Sequence, residues 1–304
     1  MPNKEHHIGE RVAVWGMVLA AVLWGFSYPL TKYVENCPTY YIIAIRFAIA
    51  AVLLAVIFHK NFKKMHKDVI KYAFLLSFAI FLMYAFGTWG IKYTTSVRSS
   101  FFTTLSFLII PVINWLIYKV RISKVIIVSA LVCLVGMFLL CYSPDMGSLV
   151  INLGDVLCTL AAVAGSFHIV FVATVSKKET VDPSLFTVFL MGFVSLWGFV
   201  MAIFGGEMSY QAQTSEIVVI VLMGIFCSAF AFFLQSHLEA IVPPNRVGII
   251  ISLEPASGCI LSVLLIHETM AWTGWLGAVI IIASCIYMEV ANSKEEAKKQ
   301  LAEG

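Results

Sequence analysis

The chain has 304 residues, of which 61% are hydrophobic and 12% charged. Soluble globular domains carry about 25% charged residues, so this composition, with a mean hydropathy of +0.93, excludes a water-soluble globule. The formal charge of +3 says little by itself. Its placement along the chain says more.

The seven cysteines are scattered singly, with no CxxC pair. Neither a disulfide framework nor a zinc site is indicated, and no metal or other cofactor is expected. No Walker, Rossmann or metalloprotease signature occurs, which argues against ATP-driven pumping by this chain. The first eleven residues are polar and run into a full-length apolar stretch without a small-residue cleavage site, so no cleavable signal is expected.

Apolar runs predict ten spans in chain order, at 12–34, 39–59, 70–92, 97–118, 123–142, 154–176, 184–205, 216–239, 246–267 and 272–291. Each holds about 20 apolar residues, enough for roughly 30 Å of hydrocarbon. The end of the eighth is least defined, where His237 and Glu239 crowd it. With the N-terminus in the cytoplasm, only Lys32, Lys92 and Arg98 of the twenty Lys and Arg fall outside. Arg46 lies within the second span, and the other sixteen fall inside. This asymmetry puts both termini in the cytoplasm, with the chain a multi-pass protein of the cell membrane. The lysine-rich stretch 60–71 reads as a topology anchor beside anionic lipid rather than a nucleic-acid patch. The tail after Asn292 has helix-forming composition but no apolar face, and is expected to be solvated or frayed.

The stretch 249–268, IIISLEPASGCILSVLLIHE, is long enough to span, yet carries Glu254 and Pro255 in its first half. A carboxylate at mid-membrane costs roughly 2.5–3.5 kcal/mol, and an interior proline about 3 kcal/mol more. Both at one turn predict a bent or broken helix facing something other than lipid. The stretch 99–119, SSFFTTLSFLIIPVINWLIYK, echoes it, with Pro111 144 positions before Pro255. Pro38 and Pro183 likewise open the second and seventh spans. The chain therefore divides into a segment 1–11, a five-helix repeat 12–142, a second repeat 154–291 and a tail 292–304. An odd number of crossings per repeat inverts the second copy, the architecture of secondary carriers.

The segments LWGFSYPL (23–30), IAIRFAIAA around Arg46 and SLEP (252–255) carry a family resemblance, as do the His267–Glu268 pair and Gly274 and Gly277 in the last span. Over essentially its whole length the chain resembles an EamA-type, ten-span member of the drug/metabolite transporter superfamily. The resemblance implies two inverted five-helix repeats around a central cavity, alternating access, and small metabolites, often amino acids, as substrates. The family's acidic residue before the last span usually follows a glycine; here His267 stands in that place.

Helical spacing nominates residues for the cavity wall. They are Trp24, Ser27 and Tyr28 in the first span, Tyr84 and Trp89 in the third, and Thr103 and Phe107 in the fourth. Ser166 and His168 follow in the sixth, Phe232 and Gln235 in the eighth, and Ser252 and Glu254 in the ninth. Pro29, Pro111 and Pro255 are the candidate gating bends. Each polar residue has a plainer reading beside the functional one. Glu254 fits a proton or substrate-cation site, or a cap for backbone groups freed by Pro255. Arg46 reads as a structural charge, with binding of a substrate carboxylate as the alternative. His168 fits a packed bundle histidine or a proton relay. The aromatics serve as packing, or as walls for amphiphilic and cationic solutes.

The expected function is a secondary-active or facilitative carrier of small organic metabolites, amino acids or related compounds, in the export direction. Protons are a candidate coupling ion. The alternatives are a carrier of organic cations, choline-like solutes or drugs with Glu254 as counter-ion, and an intramembrane enzyme. The enzyme reading lacks a nucleophile–base pair or a second embedded acid in the sequence.

Overall fold

A computed structural model describes residues 2–34, 36–93, 102–142, 151–267 and 269–303, and every regular element in them is helical. The helices are α1 (Pro2–Lys32), α2 (Thr39–Ile57), α3 (Lys67–Tyr93), α4 (Ser106–Tyr118), α5 (Lys124–Cys141), α6 (Leu153–Val175), α7 (Pro183–Phe204), α8 (Thr214–Leu238), α9 and α10 (Trp272–Glu303). The ninth is broken into α9a (Pro244–Ile251) and α9b (Leu253–Ile266).

Local chemistry sets most helix starts. Ser123 caps α5 by accepting from the Ile126 N–H at 3.2 Å. Asn152 and Asp155 exchange bonds of 2.9 Å in a capping box at the start of α6. Asp182 caps α7, with Pro183 in the first turn where no N–H is needed.

Among the described residues, eight helices are long and apolar enough to cross a membrane. The fourth and fifth predicted spans are shorter apolar helices, Phe102–Tyr118 and Lys124–Leu140; at 1.5 Å per residue, 17 residues reach about 25 Å. The tail expected to fray continues α10 as helix to Glu303, and the polar N-terminal residues likewise lengthen α1.

The bend foreseen at Pro255 lies three residues earlier. Proline has no N–H and its ring crowds the carbonyl four residues back, here Ile251. The chain tightens at Ser252, whose N–H bonds the Ile249 carbonyl at 3.1 Å. Near Pro111 the helical turn Phe102–Thr104 breaks from α4 at Leu105. The middle of α8, Met223–Phe230, is π-helical, a local widening that turns side chains off the ordinary 3.6-residue stripe.

The main helix contacts recur when the halves are exchanged. As α1 lies on α9, so α6 lies on α4; α3 on α6 corresponds to α8 on α1, and α3 on α7 to α8 on α2. The pairs α2–α7, α4–α9 and α5–α10 meet across the middle. The α5–α10 seam is backbone-close: a Cβ at Gly277 would lie 2.4 Å from both the Gly136 carbonyl oxygen and the Leu140 nitrogen.

The halves also share their stops. α4 ends on Lys119 (φ 56°) and α9b on His267 (φ 55°), both left-handed. That conformation costs an L-residue about 1–2 kcal/mol and glycine almost nothing, which explains why glycine suits the position His267 occupies.

Two stability measurements follow in detergent. His267→Gly should raise the melting temperature, by about 1 kcal/mol of added stability. Gly277→Val should lower it by the equivalent of about 1–3 kcal/mol or more, because the clashing atoms are backbone and cannot swing away.

Candidate functional site

Arg46 sits near the middle of α2 and is 5% exposed. Backbone-close packing holds that part of α2 in place: Gly224 on α8 packs against the Arg46 carbonyl, and Gly198 on α7 against Ala44. The Arg46 Nε donates to Ser228 Oγ at 2.8 Å, a residue the π-helical stretch of α8 turns toward α2. Its guanidinium carbon lies 5.2 Å from the ring centres of both Phe47 and Tyr84, cation–π contacts worth about 2 kcal/mol where water is excluded. Nη2 has no hydrogen-bond partner.

Aromatic rings extend this centre. Phe47 meets Tyr84 edge-on at 5.2 Å and Phe232 at 6.0 Å; Phe232 in turn meets Trp24 at 5.3 Å and His168 at 6.2 Å. α1, α2, α3, α6 and α8 therefore contribute to one cluster. α9b adds Glu254 in its first turn, where the positive end of a half-helix dipole meets a carboxylate. Its charge acts on Arg46, Tyr84 and Cys227, but among the described residues no direct ion pair joins it to Arg46. α1 and α9b approach closely beside it, with a Cβ at Gly25 placed 2.6 Å from the Glu254 carbonyl oxygen.

Among the described residues, Trp24 Nε1, Arg46 Nη2, His168 Nδ1 and Gln235 Oε1 of this cluster find no hydrogen-bond partner. Buried polar groups are nearly always hydrogen-bonded, so these atoms make the cluster the candidate binding site.

Of the residues nominated from sequence, Trp24, Tyr84, His168, Phe232, Gln235 and Glu254 come together here. Ser27 is adjacent, its hydroxyl bonded back to the Trp24 carbonyl at 2.6 Å. Tyr28 lies in α1, with its side chain outside the described residues. Thr103 is half-buried in the turn before α4, and Trp89 is 46% exposed near the end of α3. Three nominations are redirected. Phe107 is fully buried core. The Ser166 hydroxyl is taken by the Ala162 carbonyl at 2.7 Å and the Ser106 carbonyl at 3.4 Å. The Ser252 hydroxyl is taken by the Ile249 carbonyl at 2.6 Å and turns toward Cys133 and Cys285. Pro29 and Pro111 lie inside α1 and α4. Sequence reasoning did not name Phe47 or Ser228, and read Arg46 as a structural charge with carboxylate binding as the alternative; the helical register of Phe47 beside Arg46 was the available hint.

The end of the bundle that carries the lysine-rich stretch is tied shut between the halves. Arg246 of α9a binds Glu10 of α1 and Glu289 of α10. Asn114 donates to Asn245 at 3.0 Å, Thr174 to Tyr118 at 2.7 Å, Asn61 to Asp182 at 3.1 Å and Thr180 to Asp68 at 2.8 Å. At the opposite end, among the described residues, the Tyr41 N–H donates to Glu207 at 3.1 Å and the Tyr41 ring meets Tyr210.

The EamA-like transporter family matches residues 11–142 and again 152–289. The chain belongs to this family. An uncharacterized transporter of Archaeoglobus fulgidus is 25% identical over 276 residues, covering 90% of this chain and 85% of that protein. The uncharacterized transporter YetK of Bacillus subtilis is 24% identical, covering 86% and 81%. A biotin transporter of Salmonella typhimurium is 19% identical, covering 88% and 90%. A solved crystal structure superposes with a TM-score of 0.80 at 16% identity, over 94% of this chain and 99% of that one, and shows a shared fold. This EamA-like protein is thus a multi-pass membrane transporter, and family and relatives alike point away from an enzyme.

Removing the central cation of the Arg246 triad leaves two acids facing each other. Arg246→Gln should lower stability by about 3–5 kcal/mol, read as a lower melting temperature. The triple variant E10Q/R246Q/E289Q should recover most of the loss; equal melting of single and triple variants would refute the coupling.

Proposed function

We propose that this protein carries small organic metabolites bearing a carboxylate, foremost amino acids and related compounds, in the export direction. The reading rests on one observation: Arg46 and Glu254 are opposite charges in one aromatic cluster, not paired with each other, and the guanidinium keeps a free donor. A buried charge without full hydrogen bonding is costly. A zwitterion with its carboxylate on Arg46 and its ammonium toward Glu254 supplies both missing partners, and charge-assisted bonds of this kind are the strong ones. The rings of Trp24, Phe47, Tyr84 and Phe232 would hold the side chain. Arg46 so close to the cluster disfavours the organic-cation reading, in which Glu254 would act alone.

Movement is by alternating access between two five-helix halves of opposite orientation, 12–142 and 154–291, with the lysine-rich end in the cytoplasm and ten crossings in all. The ties of Arg246, Asn114 and Thr174 would then hold the cytoplasmic side closed until they part. Pro29, the break before Pro111 and the break at Ser252 supply the bends.

A second reading is favoured by the relatives named as biotin transporters. Biotin offers Arg46 a carboxylate but offers Glu254 no ammonium. One experiment separates the two. The purified protein is melted with leucine, phenylalanine, biotin or choline; saturation at 100 times Kd adds about 2.7 kcal/mol of stability. Amino-acid shifts that vanish in both Arg46→Gln and Glu254→Gln support the first reading. A biotin shift lost only in Arg46→Gln supports the second. A shift with choline alone overturns both.

A further inference from the structure

Below the aromatic cluster, toward the lysine-rich end, one face of α8 carries a buried polar column. Phe232 is followed one turn on by Gln235, and Gln235 Nε2 donates to Glu239 Oε1 at 2.7 Å. Glu239 stands just past the last residue of α8 and is 0% exposed. Among the described residues its Oε2 finds no hydrogen-bond partner, and neither does the Nδ1 of His168, which lies beside Gln235 and against Phe232.

The charged and titratable groups around the column are engaged elsewhere. His237, on the same helix, pairs with the Phe233 carbonyl at 2.9 Å and with Ser184 Oγ at 3.2 Å. Asp182, before α7, caps that helix and accepts from Asn61. Arg246 of α9a is held by Glu10 of α1 and Glu289 of α10. Among the described residues, none of these makes an ion pair or hydrogen bond with Glu239. A fully buried carboxylate facing only a neutral amide carries the whole desolvation cost of its charge, and taking up a proton removes that cost. Membrane-embedded acids are functional candidates for this reason.

We propose that Glu239 is a proton-binding site which, through Gln235 and His168, couples proton movement to movement of the solute held in the aromatic cluster. This rests on the carrier reading above. The step is a single protonation: Oε2 takes a proton from the aqueous side at the lysine-rich end when the Arg246 ties open, and the carboxylate becomes a neutral acid. The reverse loss returns the charge. Gln235 then links the acid to the site, because its amide is bonded to Glu239 at 2.7 Å and its other end lies beside His168 in the cluster.

Two measurements on the full-length protein test this. Infrared difference spectroscopy of the purified protein should show a protonated-carboxyl absorption that is lost in Glu239→Gln, kept in Glu254→Gln, and moved rather than lost in Gln235→Leu. Persistence of the same band in Glu239→Gln overturns the proposal. In vesicles containing a trapped pH dye, an imposed leucine or phenylalanine gradient should drive protons in the wild type. Glu239→Gln should pass the amino acid with the proton signal lost, and an unchanged ratio of protons to solute overturns the coupling. If Glu239→Gln does not fold, Glu239→Asp serves instead, and an unshifted carboxyl band in that variant also counts against the site. A wild type that moves no amino acid would sink the substrate reading, whereas the infrared result still decides Glu239.

Discussion

A guanidinium held away from water near the middle of a helix bundle constrains everything placed around it. Arg46 cannot be neutralised by losing a proton, so its surroundings must supply acceptors, π faces or a ligand. Ser228 supplies one hydrogen bond and Phe47 and Tyr84 supply ring faces, and these together leave one nitrogen without a partner. The close helix packing follows the same need. Gly224 and Gly198 let α8 and α7 press backbone-to-backbone on α2 around Arg46, which fixes the side chain's starting point.

Irregular backbone collects around this charge. The π-helical stretch of α8 turns Ser228 toward it, and the interruption of α9 at Ser252 gives Glu254 a helix start of its own. Non-helical backbone within a membrane is tolerated where protein or a cavity, not lipid, surrounds it. Both irregularities border the aromatic cluster, as that rule requires. A groove of about 480 Å³ between α2 and α7 is lined by apolar residues such as Val52, Phe189 and Leu196 and opens at the bundle surface. It offers no polar group to a solute.

Much of the architecture was legible in the chain. Apolar runs located the helices, and paired prolines pointed to corresponding positions in two halves. The contact pattern that survives exchange of the halves agrees with that pairing. Within the site, Trp24, Tyr84, His168, Phe232, Gln235 and Glu254 were legible because helical spacing puts polar and aromatic residues on one stripe. Ser166 and Ser252 were misread for a common reason. A hydroxyl in a helix can bond the carbonyl three or four residues back, and a stripe cannot show whether that acceptor or a ligand takes it. Phe47, Ser228 and Glu239 were missed because their role depends on neighbours far away in sequence.

The amino-acid sequence by itself determined the class, the family and the apolar helices, since each follows from local hydrophobicity and motif order. Only the tertiary structure decided that Arg46 and Glu254 share one cluster without touching, and that Arg246 ties α1, α9a and α10 together. It alone showed that the chain breaks at Ser252 rather than at Pro255. Those outcomes depend on which helices meet and at what height, and a buried charge takes its meaning from the partners that such packing brings or withholds.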